Sequence, residues 1–151
     1  MKLGRIWRGD ELAAALGGEA CAGAENIFIS QLSWDTRQLA ESDTAFIALR
    51  AQRDGHAFVS EAQRRGAVLC IVDTPPPVPM PHILVADTWE ALHRWAAQWR
   101  AALSYPVLAL TGSLGKTWVK EWLAYLLEGE RRAVRSPGSY NSRLGVPVSL
   151  L

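Results

Sequence analysis

The segment from Pro106 to Leu127 constrains this chain more than any other. An apolar run, Val107-Leu108-Ala109-Leu110, reads as a buried strand and passes straight into Thr111-Gly112-Ser113-Leu114-Gly115-Lys116-Thr117. A helix follows from about Thr117 to Leu127, with Gly129 beyond its end. Strand, glycine-rich turn, Lys-Thr and helix in immediate succession point to an α/β architecture. The arrangement also has a chemical purpose. Glycines let backbone amides turn inward toward phosphate oxygens, the helix adds its positive N-terminal end, Lys116 neutralises the β/γ region and the Thr117 hydroxyl can ligate Mg2+. The general pattern GxxxxGK[ST] wants glycine at position 110, where this chain has Leu110, so the shorter form T-G-S-L-G-K-T carries the reading. The alternative is a fortuitous glycine-rich turn.

Composition supports the loop from an independent direction. The 16 basic residues are 13 Arg and only 3 Lys, at positions 2, 116 and 120, so a chain that nearly always uses Arg kept Lys inside the loop. A guanidinium does not replace an ammonium where a compact point charge must fit among phosphates. Residues 1–105 hold 10 basic and 12 acidic residues, whereas residues 106–151 hold 6 and 3, which places an anionic partner in the second part. Formal charge over all 151 residues is +1, leaving no electrostatic footprint for general nucleic-acid binding. No apolar run reaches the roughly 18 to 20 residues that span a bilayer, and Met1 to Asp10 lacks the apolar core of a signal peptide, so the expectation is a cytoplasmic protein with no membrane partner. Cys21 and Cys70 lack CxxC spacing and read as isolated, inert thiols.

Ahead of the loop, strands and helices alternate. Asp10 is placed to cap a short helix through Leu16 that Gly17-Gly18 stops. Ile27 to Ile29, Thr44 to Leu49, Ala67 to Val72 and His82 to Ala86 read as strands, with a helix over 57–65 ended by Gly66. The proline-rich stretch 74–81 suits neither helix nor central strand and reads as a surface connector. Asp87 then caps a helix whose Trp89, Leu92, Trp95, Ala96, Trp99 and Leu103 make one apolar stripe, a packing face rather than an aromatic binding box. After the loop, Ala133-Val134 suggests a further strand, and Gly145 to Leu151 the first turn of a helix with proline near its start. The fold class expected is α/β in two parts, a small domain over residues 1–104 and the beginning of a parallel-sheet, P-loop domain over 105–151. The 46 residues after position 105 are too few for several crossover units, which predicts a truncated second domain.

Three ordered blocks bring a family into view. The loop, followed by Val119-Lys120-Glu121, resembles the ATP loop of the Mur ligases. Ser33-Trp34-Asp35-Thr36-Arg37, Phe46-Ile47-Ala48-Leu49, Asp54-Gly55-His56-Ala57-Phe58 and Gly66-Ala67 are similar to the N-terminal uridine-nucleotide domain of that family. Ser139 to Pro147, with Asn141 inside it, resembles the segment after the ATP loop in the branch that adds D-alanyl-D-alanine, closest to the form fused to an alanine racemase. The likeness runs from about residue 27 to the end. It departs at Trp118, where these ligases usually carry Thr or Ser. An indole there is able to pack under the helix but not to hold metal or phosphate.

The resemblance implies an ATP-dependent ligase that joins D-alanyl-D-alanine to a UDP-N-acetylmuramoyl-peptide through an acyl phosphate. It implies ATP and Mg2+ as cofactors, with Gly112, Ser113, Leu114, Gly115, Lys116 and Thr117 binding ATP, Lys116 as the catalytic cation and Thr117 as the metal ligand. Correspondence assigns the uridine substrate to Trp34, Thr36, Ala51, Gln52 and Arg53, and the muramoyl or phosphate end to Asn141 and Ser142. Each has a structural alternative. The first five are also read as solvated loop residues, Asn141 as a helix cap, Asp35 and Arg37 as a mutual pair, and His56 as a loop fastener. Downstream parts of the family supply the acidic Mg2+ ligand, the carbamylated lysine and the adenine pocket. Another Mur ligase such as MurE, or a non-catalytic uridine-nucleotide module, stays open on these residues.

Overall fold

Two apolar segments too short and too β-branched for helices build the centre of a sheet. In the computed structural model, which describes residues 1–39, 43–129, 133–137, 140 and 142–151, they are β4 (Thr44–Ile47) and β5 (Leu69–Val72), both buried along their whole length. Side chains alternate across a sheet, so complete burial means both faces are covered. Phe46, Ala48, Cys70 and Val72 take one face, where they pack with Val59 and Ala62 of α2 (Val59–Arg64) and with Met80. Ala45, Ile47, Leu69 and Ile71 take the other and are fully buried too.

β3 (Phe28–Ser33) and β6 (His82–Leu84) flank this pair in parallel, with Leu32 opposite Ala45 and Ile71 opposite Ile83. β1 (Lys2–Arg8) and β2 (Glu19–Cys21) close the two edges antiparallel, giving a six-stranded sheet in the order β1-β3-β4-β5-β6-β2. Neither edge strand was anticipated from the sequence. β1 buries only Trp7 and carries an irregularity between Lys2 and Trp7, so its alternation is too weak to read.

The helices follow the expected order, with one adjustment at the start of the first. α1 (Gly9–Leu16) begins one residue before Asp10, so Asp10 lies in the first turn and its carboxylate pairs with Arg8 rather than capping. α1 ends at Gly17 in the left-handed conformation, where the N–H reaches the Ala14 carbonyl. α3 (Thr88–Ala102) is capped as expected, the Asp87 carboxylate accepting the Glu90 N–H at 2.8 Å. It buries Thr88, Ala91, Leu92, Trp95 and Ala96, with Trp95 edge-on to Trp7 at 5.4 Å.

Chain contacts divide the molecule into a unit Met1–Gln98 and a unit Trp99–Leu151. The second contains α4 (Lys116–Leu127) and α5 (Gly145–Leu150), but no strand among its described residues. This corrects two expectations. Val107 to Leu110 is irregular backbone with Leu108 68% exposed, and Val134 is 91% exposed. A strand of this kind exists only when ladder partners satisfy its amides, and the described residues of the unit offer none.

Candidate functional site

In the first unit the loops leaving β3 and β4 lie at the carboxyl ends of adjacent parallel strands, the edge of an α/β sheet where ligands bind. Both loops carry sequence-predicted substrate residues. After β3, Trp34 is half-buried and Thr36 opens a single 3-10 turn with only 7% of its surface exposed. Asp35 caps that turn by accepting the Arg37 N–H at 3.0 Å, and it also receives the Arg37 guanidinium at 2.6 Å. These bonds hold the Asp35 carboxyl below the ordinary aspartate range, the guanidinium acting most strongly. Asp35 and Arg37 are therefore a mutual pair.

After β4 the chain folds into a tight turn. Arg50 bridges Asp54, the Ala51 N–H donates to the Arg53 carbonyl at 3.1 Å, and Ala51, Gln52 and Arg53 form an exposed tip. Gly55 sits beneath it so closely that an added Cβ would come within 2.7 Å of the Leu49 nitrogen, which explains why glycine follows Asp54. His56 fastens the turn. Its Nε2 accepts the Asp73 N–H at 3.2 Å, which leaves Nδ1–H to donate to Asp54 Oδ1 at 2.7 Å. The Asp54 carboxyl lies below its ordinary range, chiefly because it accepts the His56 backbone N–H and then the His56 ring.

Three residues of this network escaped the sequence reading: Arg50, Asp73 and Trp89. Arg50 reaches the Asp73 carboxylate at 2.8 Å and Asp54 at 3.3 Å, and its carbonyl accepts the Trp89 indole N–H at 2.8 Å. A readable signal did exist. Arg50 follows the apolar run 45–49 directly, and Asp73 follows the apolar strand β5 directly, each a charge at a strand exit.

The second unit holds the glycine-rich loop. Gly112 (φ 143°) and Gly115 (φ 79°) adopt conformations that disfavour a side chain, and Gly115 precedes the first residue of α4. Lys116 folds back so that its ammonium donates to the Gly112 carbonyl and lies 3.5 Å from that of Ser113. The cation is thus held over the loop mouth at the positive end of a twelve-residue helix. Ser113, Leu114 and Thr117 are exposed, and an added Cβ at Gly115 would meet nothing within 4 Å, so the loop is open to a ligand. Donor set and openness fit a nucleotide phosphate. For Mg2+ the loop supplies one hydroxyl, that of Thr117, and no cluster of three metal-binding side chains occurs among the described residues. A magnesium ion, which usually keeps water and substrate phosphate oxygens, fits that single contact.

Trp118 is 70% exposed, so its indole is not packed under the helix. Further along α4, Lys120 donates to the Ser136 carbonyl at 2.8 Å and Glu121 pairs with Arg135 at 3.0 Å, tying the helix to residues 135–136. Ser142 Oγ accepts the Gly145 N–H at 3.0 Å at the start of α5. Asn141 lies outside the described residues.

One unit is an α/β sheet with polar loops at its strand exits, and the other carries a glycine-rich loop with a lysine at a helix start. Over most of its length the chain is similar to Mur ligases. It is 37% identical over 142 residues to the UDP-N-acetylmuramoyl-tripeptide--D-alanyl-D-alanine ligase of Escherichia coli, a match covering 93% of this chain and 31% of that protein. The crystal structure of MurF from Acinetobacter baumannii superposes with a TM-score of 0.89 at 33% identity, covering 97% of this chain and 33% of that one. MurF ligase from Thermotoga maritima in complex with ADP matches with a TM-score of 0.71 at 31% identity, over 80% of this chain and 28% of that one. No family model matches the chain. The chain spans about a third of the length of the curated relatives it matches. No helix among the described residues is long and apolar enough to cross a membrane.

Proposed function

We propose that the chain is the substrate-nucleotide and ATP-loop portion of a cytoplasmic ligase that joins D-alanyl-D-alanine to a UDP-N-acetylmuramoyl-tripeptide. The observation that supports this best is the likeness to MurF over nearly the whole chain, in sequence and in fold at once. In this reading residues 1–104 bind the uridine nucleotide and residues 105–151 begin the ATP-binding domain.

Each residue group has a stated task. Trp34 and Thr36 after β3, and Ala51, Gln52 and Arg53 after β4, receive the uridine nucleotide. Gln52 is suited to pair with a uracil edge and Arg53 to meet the diphosphate. Gly112, Ser113, Leu114 and Gly115 direct backbone amides at the phosphates of ATP, Lys116 releases its carbonyl partners to clamp them, and Thr117 contributes a ligand to Mg2+. Asn141 and Ser142 meet the muramoyl or phosphate end of the substrate. ATP supplies the activating phosphoryl group that makes the substrate carboxyl reactive. The protein's part is to spread positive potential over the charge that develops during transfer.

The 151 residues alone bind uridine nucleotide and do not ligate, because the geometry needed for turnover has to be complete to a fraction of an ångström. Calorimetric titration with UDP and with ATP, alongside an ATP-hydrolysis assay, tests this. UDP binding with negligible hydrolysis is the expected result. Ligation by this chain alone, or a folded chain indifferent to UDP, overturns the reading.

A further inference from the structure

We infer that Trp89 and Asp73 are positioning residues for nucleotide binding: they hold the Arg50–Asp54 turn in the shape that presents Ala51, Gln52 and Arg53 to the uridine nucleotide. The inference rests on the reading of that tip as substrate-facing.

The turn is gripped from two elements distant in sequence. Thr88 and Trp89, the first two residues of α3, take alternate carbonyls of the chain leaving β4. Thr88 Oγ1 donates to the Ala48 carbonyl at 3.0 Å in a buried bond, and Trp89 Nε1 donates to the Arg50 carbonyl at 2.8 Å. The exit of β5 supplies the second grip. The Asp73 carboxylate, 7% exposed, receives the Arg50 guanidinium at 2.8 Å, a charge-assisted bond shielded from solvent on the acid's side. The Asp73 backbone N–H anchors His56, and His56 in turn holds Asp54. Both ends of the turn are therefore fixed, Arg50 by Trp89 and Asp73, and Asp54 through His56.

Only the tip projects. Its three side chains are exposed, and within it the Ala51 N–H closes on the Arg53 carbonyl. A loop with anchored ends and an exposed tip loses its conformational freedom on folding rather than on binding, which raises affinity without adding a ligand contact. Neither Trp89 nor Asp73 belongs to the tip itself. Their effect on the nucleotide passes through Arg50 and His56.

The test uses the 151-residue chain with UDP as probe. Trp89→Phe removes the indole donor and keeps an aromatic ring, and Asp73→Asn removes the charge and keeps the shape. Two quantities are measured: the UDP dissociation constant, and the amide hydrogen exchange of Ala51, Gln52 and Arg53 without ligand. Loss of one such hydrogen bond should weaken UDP roughly 3- to 10-fold and speed exchange at the tip by a similar factor. Gln52→Ala should weaken UDP and leave tip exchange unchanged, since it removes a contact and not the frame.

Variants that lower only the unfolding temperature, with UDP affinity and tip exchange as in the wild type, overturn the inference and leave the nucleotide reading intact. A folded wild-type chain indifferent to UDP overturns that reading and the inference with it. Should Trp89→Phe fail to fold, Asp73→Asn and Arg50→Lys decide the matter by the same two measurements.

Discussion

The two units share one sequence logic and reach different ends. In each, an apolar run of four to six residues passes into a polar, glycine-bearing loop and then a helix. In Met1–Gln98 that run becomes β4, buried on both faces and paired with the equally buried β5. In Trp99–Leu151 the equivalent run, Val107 to Leu110, stays irregular, and α4 leaves Trp118, Trp122, Tyr125 and Leu126 between 64% and 75% exposed. Periodicity and β-propensity nominate a strand, but ladder partners make one. Loop chemistry obeys a different rule: the backbone of Gly112 and Gly115 and the reach of Lys116 are local, and they form although the described residues of that unit include no strand.

Chemistry gives the widest separation between the units. In a complete ligase sequence, Lys116→Ala should lower ATP-dependent turnover by on the order of 10²- to 10³-fold or more, since under the proposed function it removes the cation that meets developing phosphoryl charge. Lys116→Arg should be severely impaired as well, because a forked guanidinium does not fit a cradle shaped for ammonium. Trp118→Ser should be tolerated much better. UDP affinity measured on the 151-residue chain should not change with Lys116→Ala. Equal ligation rates for wild type and Lys116→Ala would remove Lys116 from the mechanism.

Stability separates the units next. Leu32 in β3 is fully buried, so Leu32→Ala should cost roughly 2–5 kcal/mol in denaturant unfolding of this chain. Leu126 on α4 is 70% exposed, and Leu126→Ala should stay within about 0.5 kcal/mol. A large cost at Leu126 would mean that α4 packs in solution, and the contrast between the units would fail.

Glycines sharpen the same contrast on a smaller scale. An alanine at Gly55 meets backbone at 2.7–2.8 Å, so Gly55→Ala should destabilise by roughly 1–3 kcal/mol and disturb the Arg50–Asp54 turn. An alanine at Gly115 meets nothing and is opposed only by its left-handed backbone, so its cost should be about 1–2 kcal/mol. Paired unfolding curves give the order.

Much of this was legible beforehand, for identifiable reasons. Strands β4, β5 and β6 were readable because each is a short apolar run bounded by turn residues, β3 only over its apolar start Phe28-Ile29, and α3 and α4 because capping and loop signals mark their starts. Edge strands β1 and β2 were not, since β1 buries a single residue and β2 is only three residues long. Sequence located the tip Ala51-Gln52-Arg53 but not what holds it. Trp89 looked like one more apolar residue on a stripe, and only the fold brings its N–H to Arg50, 39 positions away. Long-range bonds between a side chain and a carbonyl leave no periodic trace.

The smallest expected effect belongs to acid, and it falls on the strand-exit loops of the first unit. Asp35 and Asp54 both have carboxyls held below the ordinary aspartate value of 3.8, the first mainly by the Arg37 side chain and the second mainly by the His56 backbone N–H. A depressed folded-state value means the native state binds the proton less readily than the unfolded chain does. The stabilisation is therefore present above 3.8 and lost as pH falls through the depressed values. Both pairs are solvent-screened, so the core should survive the loss. Lowering pH from about 5 toward 2 should produce a modest fall in unfolding temperature attributable to these groups. Amide signals of residues 34–38 and 50–56 should shift before those of β4 and β5. A combined Asp35→Asn, Asp54→Asn chain should start lower at neutral pH and show a flatter acid limb. If its acid limb were as steep as the wild type's, these two carboxylates would not be the source of the acid sensitivity, and the strand-exit loops would be no softer than the sheet that carries them.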